Sequence, residues 1–283
     1  MVDVLQNKSN LRFAGIVTYN PDINRLVENI NSILSQVDTL ILVDNASNNM
    51  SEIEHAIRDL SKIVLLKNDT NRGIAAALNQ IVRFSASNYS EWVLLLDQDS
   101  VVPEGIIEHF SKYTDLDGVG IITPRIIDRN FSEEFKNDSE LSWIDMCITS
   151  GSFINIDLFK KIGEFDEKMF IDLVDFEYCA RLRKERYKIL RINSVKLLHQ
   201  LGSMKVRKIL GRNIRVTNHP GIRHYYYTRN TIYYYKKHRE LLKKSYPGLT
   251  TLKKVGKIIA FESEKTDKLK HVVRGLIDGA KMR

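Results

Sequence analysis

Two aspartates close an apolar run in the segment "WVLLLDQDS", where Asp97 and Asp99 flank Gln98. On an extended chain, side chains two residues apart point to the same side. Like charges in that arrangement repel each other unless a cation lies near them. Carboxylate oxygens suit Mg²⁺ or Mn²⁺, which bridge one or two carboxylates to a diphosphate. By itself the pattern leaves two interpretations open, a metal–diphosphate site and a solvated strand end.

Polar residues also follow two earlier apolar runs. Thr18, Tyr19 and Asn20 follow the first run, and Asp44 follows the second. An acidic residue at the end of a strand is a typical partner of a ribose in nucleotide-binding folds. The alternative for Asp44 is a cap on the segment after it. We expect these residues to lie close together, because the carboxyl ends of parallel strands meet at one edge of a sheet.

A third polar group, "NRG", opens a helical pattern. It consists of Asn71, Arg72 and Gly73. Backbone N–H groups at a helix N-terminus, with an arginine beside them, favour a bound anion. A turn that needs a glycine explains Gly73 equally well.

Further carboxylates stand in "FIDLVDFEYCARL". Asp172 and Asp175 share a face if this segment is helical, and Glu177 follows them. A carboxylate at a half-buried helix start is suited to a raised pKa and to general-base catalysis. The alternative is a set of acids that complement the helix dipole. His199, after a strand-like run, is a candidate ligand of metal or phosphate, although a lone histidine is more often structural.

The elements that position these residues alternate in a β-α-β-α-β-α-β order over the first hundred residues. Their strands are continuous apolar runs, which indicates a mostly parallel sheet covered by helices on both faces. The first strand is not followed by Gly-x-Gly-x-x-Gly, and the chain has no Gly-Lys-Ser/Thr loop, which disfavours dinucleotide and P-loop folds. From His224 a basic, tyrosine-rich segment is predicted to be helical, and one or two amphipathic helices follow it.

Length and composition are typical of one large or two small α/β domains. The chain has 283 residues, 43% of them hydrophobic and 28% charged. It has no apolar run long enough to span a bilayer, and its N-terminus does not resemble a secretory signal. Cys147 and Cys179 have no metal-like spacing. These features predict a reduced, cytoplasmic protein.

The net charge of +8 is unevenly distributed. From Leu201 onward there are 21 Lys and Arg against 5 Asp and Glu, whereas the first 200 residues carry 22 against 30. Lys253, Lys254 and Lys257 interleave with apolar residues, as in helices at an anionic membrane surface. Packing on the core or on a second subunit in a homo-oligomer is the equal alternative. Nucleic acid is a disfavoured partner, because no binding module is present.

Six motifs in order resemble the inverting glycosyltransferases of family 2, which have the GT-A fold. They are "VTYN", "VDNAS", "NRGIAAALN", "LLLDQDS", "TSGSFI" and "FIDLVDFEYCARL". Together with "LLHQLGS" and "YYYTRN", they are most similar to the bacterial rhamnosyltransferase branch. The resemblance covers roughly residues 11 to 240. It implies a GT-A domain over 1–223, with a nucleotide-binding half at about 11–100 and an acceptor half at about 101–223. A basic helical extension over 224–283 follows.

The resemblance also implies a role for each matching residue. Asp99 and Asp97 would hold Mg²⁺ or Mn²⁺ together with His199. Asp175 would be the catalytic base. Val174 stands where many relatives have glutamate, so Asp172 remains an alternative base. The nucleotide-sugar donor would be bound by Thr18, Tyr19, Asn20, Asp44, Asn71, Arg72, Gly73, Asp97, Gln98 and Arg229, with Asn230 near the diphosphate.

The implied reaction moves L-rhamnose from dTDP-β-L-rhamnose to a hydroxyl of a cell-surface polysaccharide or lipid-linked glycan, with inversion. A UDP-hexose or UDP-N-acetylhexosamine donor on the same fold is the nearest alternative. A non-catalytic sugar-nucleotide-binding protein is the alternative from another class. A nucleotidyltransferase would need a basic phosphate-binding loop near the first strand, and "VTYNPDIN" has none.

Overall fold

An eight-stranded mixed sheet forms the centre of the computed structural model, which describes residues 11–128, 139–199, 205–209, 212–216, 218–242 and 247–283. Its strands are β1 Phe13–Thr18, β2 Thr39–Asp44, β3 Ile63–Lys67, β4 Trp92–Asp97, β5 Val119–Asp128, β6 Leu141–Ile144, β7 Ser152–Asn155 and β8 Lys188–His199. A separate antiparallel pair consists of β9 Lys205–Ile209 and β10 Arg212–Val216.

The strand order is β3-β2-β1-β4-β7-β5-β8-β6. The pairs β3–β2, β2–β1, β1–β4 and β5–β8 are parallel, whereas β7 is antiparallel to both β4 and β5, and β6 is antiparallel to β8. The predicted mostly parallel α/β sheet is therefore confirmed. The segment between residues 141 and 162 contains two strands and a helix.

The helices are α1 Ile23–Leu34, α2 Met50–Ile57, α3 Gly73–Ser87, α4 Ile106–Ser111, α5 Ile156–Ile162, α6 Val174–Lys184, α7 Gly221–Lys237, α8 Pro247–Phe261 and α9 Lys265–Lys281. A short 3₁₀ turn spans Glu167–Met169. None of these described helices has the length and apolar character that crossing a membrane requires.

Helices cover both faces of the sheet, and strand β2 shows why its sequence is continuously apolar. Ile41 and Val43 belong to one hydrophobic cluster, and Leu40 and Leu42 belong to another. Successive strand residues point to opposite faces, so a strand covered on both sides has no solvent-facing positions. All four side chains are fully buried.

The C-terminal helices pack on this core. Tyr233 and Tyr234 of α7 belong to one of the two main clusters. Helix α9 approaches α7 so closely that a Cβ at Gly275 or Gly279 would lie 2.6 Å from a backbone oxygen of α7. The part of the chain predicted as an extension is thus joined to the sheet domain through α7, and the division at residue 223 remains a prediction.

Candidate active site

A cavity of about 370 Å³ lies beside the carboxyl end of β4. Ile74 and Asp97 line it from the N-terminal half of the sheet, and Thr149 lines it from the loop before β7. The consecutive residues 171–176 form a second wall, and Arg223 and Tyr227 of α7 form a third. The cavity thus joins two of the predicted acidic segments, around Asp97 and around Asp175.

Hydrogen bonds fix the turn that follows Asp97. The Asp97 carbonyl accepts from Asn29 Nδ2 at 2.6 Å, and its N–H donates to Ser150 Oγ at 3.2 Å. Ser100 Oγ lies 2.5 Å from the same Ser150 hydroxyl. Gln98 Oε1 accepts from the Tyr19 N–H at 2.8 Å. The Asp-x-Asp segment is therefore held from α1, from "TSGSFI" and from the end of β1.

The chain turns directly after Asp97, so the strand ends one residue before Gln98. The expectation that Asp97 and Asp99 share a face because the chain is extended was therefore wrong. The Ser100 N–H donates back to the Asp97 carbonyl at 3.3 Å, which closes the turn. Of the two carboxylates, Asp97 lines the cavity.

Asp44 is buried at the end of β2 and uses both carboxylate oxygens within the protein. Oδ1 accepts from Thr18 Oγ1 at 3.1 Å, and Oδ2 accepts from the Ser47 N–H at 2.9 Å. The contact with Ser47 closes a turn in the loop and caps no helix, since the N-cap of α2 is Asn49, so the capping alternative is wrong. Each carboxylate oxygen has a second lone pair, so a ribose hydroxyl can still be accepted.

The loops after β1 and β2 are also joined to each other. Asn20 has a positive φ of 46°, and its N–H donates to Ser47 Oγ at 2.8 Å. Its Oδ1 accepts from the Asn48 N–H at 2.7 Å. Tyr19 is 48% exposed beside them. The residues predicted to bind the nucleotide therefore meet at one edge of the sheet, and their contact with a nucleotide remains a prediction.

The backbone N–H groups at the start of α3 already have partners. The Arg72 N–H donates to Asn45 Oδ1 and the Gly73 N–H donates to Asn71 Oδ1, both at 2.9 Å. The Ile74 N–H donates to the Phe170 carbonyl at 2.7 Å. These donors are therefore not open to an anion, and the exposed Arg72 side chain is the group here that can reach a phosphate.

Glycine is required at position 73 by both its backbone and its neighbours. Its φ is +83°, and a Cβ would lie 2.5 Å from the carbonyl oxygen of Phe170. The turn alternative thus has a definite cause, which is the close approach of the 170 loop to α3.

Asp175 stands in the first turn of α6 and lines the cavity. Desolvation raises its pKa to about 7, and the Asp97 carboxylate adds to this increase, whereas the Phe176 N–H at 2.9 Å opposes it. The acid therefore accepts a hydrogen bond from the helix start, as the dipole alternative proposed. It also has a pKa suited to accepting a proton near neutral pH.

Asp172 lies just before α6, and both Asp172 and Leu173 have positive φ, of 69° and 65°. Its Oδ1 accepts from Arg223 Nη2 at 3.2 Å. Although Asp172 is not helical, it lines the same cavity as Asp175. The two candidate bases therefore differ in surroundings, since one is ion-paired and the other is desolvated.

Glu177 has a different task from these two aspartates. It is completely buried, and both its oxygens accept from Arg181 Nε at 3.0 Å. Burial alone would raise its pKa, but His238, Arg181 and Lys237 lower it to about 2. Arg181 in turn donates to the carbonyls of residues 162–164. The pair anchors α6 and does not face the cavity.

Two residues of α7 with a predicted role near the diphosphate contact a loop of the protein instead. Arg229 donates to the Lys168 carbonyl at 2.6 Å and lies over Tyr226, 4.9 Å from the ring centre. Asn230 is fully buried and donates to the carbonyls of Ile171 and Asp172. These contacts give no support for binding a diphosphate, because both side chains hold the 168–172 loop.

His199 ends β8, and its side chain lies outside the described residues. The adjacent Leu198 exchanges backbone hydrogen bonds with Val101, two residues after Asp99, at 3.0 and 3.3 Å. The backbone of His199 is thus close to the Asp-x-Asp turn, and its role as a metal ligand remains a prediction.

Sequence reasoning missed Arg223 and Tyr227, which line the cavity from α7. Their spacing of four residues indicates that both side chains share a helix face. It does not tell whether that face lines a cavity or packs on the core, because both kinds of face have the same period.

Within the described residues, no group of three or more His, Cys, Asp or Glu side chains is arranged to hold a metal ion. Mg²⁺ and Mn²⁺ sites of nucleotide enzymes need only one or two carboxylates, because substrate phosphates and water complete the coordination. Asp97 raises the pKa of Asp175 across the cavity, so a cation here would relieve a like-charge repulsion. This donor chemistry fits a divalent cation that arrives with a diphosphate.

Two matches with known proteins each cover more than half of the chain. The model of Glycosyl transferase family 2 matches residues 14–182. The chain is 30% identical over 284 residues to the dTDP-rhamnosyl transferase RfbF of Shigella flexneri, and the match covers 94% of both proteins.

Solved structures have the same fold at low sequence identity. The crystal structure of GalNAc-T7 with UDP, GalNAc and Mn²⁺ has a TM-score of 0.59 and 14% identity, over 80% of this chain and 48% of that one. The chain thus spans about half the length of that structure. Staphylococcus aureus TarS 1–349 has a TM-score of 0.58 and 12% identity, over 95% of this chain and 81% of that one.

Proposed function

Because the chain belongs to the family 2 glycosyltransferases and has their GT-A fold, we propose that it transfers L-rhamnose from dTDP-β-L-rhamnose, with inversion, to a hydroxyl of a cell-surface polysaccharide or lipid-linked glycan. The similarity to a dTDP-rhamnosyl transferase over nearly the whole of both chains supports the donor. The observation that carries the proposal is that Asp97 and Asp175 line the same cavity.

Asp175 acts as the base in this proposal. As the acceptor oxygen attacks the anomeric carbon, its proton passes to the Asp175 carboxylate, and the bond from that carbon to the diphosphate oxygen breaks with its electron pair on the diphosphate. A pKa of about 7 allows the carboxylate to be ionised before the reaction and to take the proton during it. Asp172 is less suited to this role, since its Oδ1 is paired with Arg223.

Asp99 and Asp97, with His199, would hold Mg²⁺ or Mn²⁺. When bound there, such an ion would supply positive charge to offset the negative charge on the leaving diphosphate. The chain's own part is to fix the position of the Asp-x-Asp turn through Asn29 and Ser150. The nucleoside would lie along Thr18, Tyr19, Asn20 and Asp44, with Arg72 towards the phosphates.

Thermal-shift binding tests the donor and the metal together. Melting temperatures are compared with dTDP, dTDP-β-L-rhamnose, UDP and UDP-glucose, each with Mn²⁺ and with EDTA. A ligand that binds only the folded state raises the melting temperature by mass action. We expect an increase with the thymidine ligands in the presence of Mn²⁺, and little or none in EDTA.

An increase with uridine ligands alone would exclude the rhamnosyl donor and leave the fold and mechanism in place. An increase that EDTA leaves unchanged would exclude the metal site at Asp97 and Asp99. No increase with any of the four nucleotides would contradict the whole site.

The acceptor proposal extends to the anionic inner face of the cell membrane. In α8, Lys254 and Ile258 turn inward, whereas Lys253, Lys257 and Ile259 are exposed. In α9, the exposed Val273 and Ile277 alternate with Lys270 and Arg274. Basic and apolar groups that face solvent together suit a surface of anionic lipid. The sequence pattern contained the correct residue types, but half of the α8 pattern faces the protein.

A further inference from the structure

A carboxylate–guanidinium pair forms part of the cavity wall, and the proposed mechanism does not use it. Asp172 Oδ1 and Arg223 Nη2 are 3.2 Å apart. The Asp172 side chain is 16% exposed, whereas the Arg223 side chain is 42% exposed. Both residues line the cavity, so the pair faces the space that a substrate would fill.

The second carboxylate oxygen of Asp172 is enclosed and has no hydrogen-bond partner among the described residues. A buried acceptor left without a donor is costly, and few exist in native proteins. Because this oxygen is closed to solvent, a ligand hydroxyl meets Asp172 only where its side chain is exposed to the cavity. The chain nevertheless keeps this costly carboxylate in the cavity wall, which indicates a role in binding.

The surrounding loop is held in a strained shape. Asp172 and Leu173 both have positive φ, which costs roughly 1–3 kcal/mol for each residue without glycine's freedom. Asn230 compensates by donating to the carbonyls of Ile171 and Asp172 at 2.7 and 3.0 Å. Phe170 stacks on Tyr226, with 4.8 Å between ring centres. Asn230, Phe170 and Tyr226 thus hold the loop around Asp172, and through it the Asp172 side chain.

The position of the pair assigns it to one substrate. Asp97 and Ile74 line the side of the cavity that belongs to the nucleotide-binding half, and Arg223 and Tyr227 belong to α7. Asp172 is three residues before the proposed base. Tyr227 is backed by Lys254, whose Nζ is 3.4 Å from the ring centre. A sugar against this wall would lie next to Asp175 and away from the donor's nucleoside.

We infer that Asp172 and Arg223 bind the acceptor sugar, with Asp172 accepting from a hydroxyl beside the nucleophilic one and Arg223 donating to a neighbouring oxygen. This inference rests on the proposed function, since it presumes transfer to a sugar hydroxyl. Tyr227 supplies an apolar surface for the sugar ring. Asp172 is thus a binding residue and not a second base.

Steady-state kinetics separates the acceptor from the donor. The probes are dTDP-β-L-rhamnose and whichever of octyl α-L-rhamnoside and octyl N-acetyl-β-D-glucosaminide the wild type glycosylates. Donor hydrolysis without an acceptor is measured in parallel. Asp172→Asn and Arg223→Lys are compared with Asp145→Asn, which removes the carboxylate of a pair with Arg183 that is 3.1 Å long and lies outside the cavity lining.

We expect both cavity variants to raise the acceptor KM about 10- to 100-fold, as for lost hydrogen bonds to charged groups. The donor KM in hydrolysis and all constants of Asp145→Asn are expected to stay within about twofold of the wild type. If Asp172→Asn does not fold, Arg223→Lys on the surface of α7 gives the same readout.

A fall in kcat at unchanged acceptor KM would overturn the inference, because it would make Asp172 part of the proton transfer. A raised donor KM would assign the pair to the donor, and unchanged constants in both variants would exclude a role in binding. A wild type that hydrolyses UDP-glucose and not dTDP-β-L-rhamnose would refute the proposed donor, and the acceptor KM is then measured with UDP-glucose.

Discussion

Asp175 combines two properties at the scale of a single residue. Its carboxylate lines the cavity, and its desolvated surroundings raise its pKa to about 7. A general base is most effective when its pKa is close to the working pH, because it is then mostly ionised and still basic. The same desolvation makes the group unfavourable for folding once it is ionised.

Replacement of the proposed base should slow transfer strongly and leave nucleotide binding intact. We expect Asp175→Asn to lower kcat by about 10²- to 10⁴-fold, the usual contribution of a general base. The thermal shift with dTDP and Mn²⁺ should persist. Asp157→Asn is the matched control, since Asp157 is an exposed acid in the first turn of α5. Full activity of Asp175→Asn would remove Asp175 from the mechanism.

The same variant should change how stability depends on pH. An unfolded aspartate has a pKa of about 3.9 and the folded one of about 7, so the wild type loses stability as the pH rises from 4 to 7. Asn does not titrate. We expect the free energy of unfolding of Asp175→Asn to increase relative to that of the wild type between pH 4 and 7, and to remain higher above pH 7. The expected difference in the free energy of unfolding above pH 7 is about 2 kcal/mol. This is half of the value that the folded and unfolded pKa values give together, because solvent in the open cavity screens the carboxylate.

Chemical denaturation of the metal-free protein at pH 4, 5.5, 7 and 8.5 measures this difference. A constant difference across the series would show that Asp175 titrates normally.

Gly73 is a second residue whose replacement has a definite physical cost. Alanine at this position would have a φ of +83° and a Cβ 2.5 Å from the Phe170 carbonyl. We expect Gly73→Ala to lower the free energy of unfolding by about 2–4 kcal/mol. At Gly256 nothing lies within 4 Å of an added Cβ. Gly256→Ala should therefore be neutral or stabilising by up to about 1 kcal/mol. Equal effects of the two variants in urea denaturation would contradict this account.

At the scale of elements, helix α7 does more than cover the sheet. Arg223 and Tyr227 line the cavity, Asn230 holds the loop before α6, and Tyr233 and Tyr234 belong to the core. Residues 223, 227, 230 and 234 recur at the spacing of one helix face. One face of α7 therefore joins the cavity to the core.

Loss of Asn230 should loosen this connection. We expect Asn230→Ala to destabilise the protein by about 2 kcal/mol, since the Ile171 and Asp172 carbonyls lose their shared donor. The acceptor KM should rise as well, because the direction of Asp172 is no longer fixed. Ser85→Ala is the control, as its buried hydroxyl donates to the Ile81 carbonyl within α3 at 3.0 Å. A variant with lower stability and an unchanged acceptor KM would restrict Asn230 to a purely structural role.

At the scale of the whole molecule, charge separates along the chain. The basic C-terminal third is joined to the sheet domain through α7, on which α9 packs, and it exposes lysines on α7, α8 and α9. The cavity and these exposed basic residues thus belong to one folded unit. Attraction to anionic lipid is screened by salt, since the Debye length falls from about 10 Å at 0.1 M to about 3 Å at 1 M.

Vesicle flotation tests the surface. We expect the protein to float with vesicles that contain phosphatidylglycerol at low salt and to be released at about 1 M salt. Lys253→Glu combined with Lys257→Glu should abolish flotation. Lys112→Glu combined with Lys184→Glu makes the same change in net charge at exposed sites outside α8 and α9 (the C-terminal tail). This control variant should still float with the vesicles. Absence of flotation by the wild type would exclude the membrane, and a dimer in solution that the tail variant disrupts would favour a second subunit.

Much of the nucleotide-binding half was predictable from the sequence, because its information is local. Continuous apolar runs such as residues 40–43 identify strands buried on both faces. The polar residues after each run must then meet at one edge, since parallel strands end on the same side of a sheet. The ordered motifs identified the family on the same local basis.

Only the tertiary structure decided which side chains face the cavity and which hold it in shape. Arg223 and Arg229 lie on the same helix, and both are arginines, yet one lines the cavity and the other binds the Lys168 carbonyl. Likewise, Asp172 and Asp175 are three residues apart, but one is paired and the other desolvated. Residue type and spacing determine what chemistry is available. Burial and partners, which come from segments distant in the chain, determine the pKa, the orientation and therefore the role.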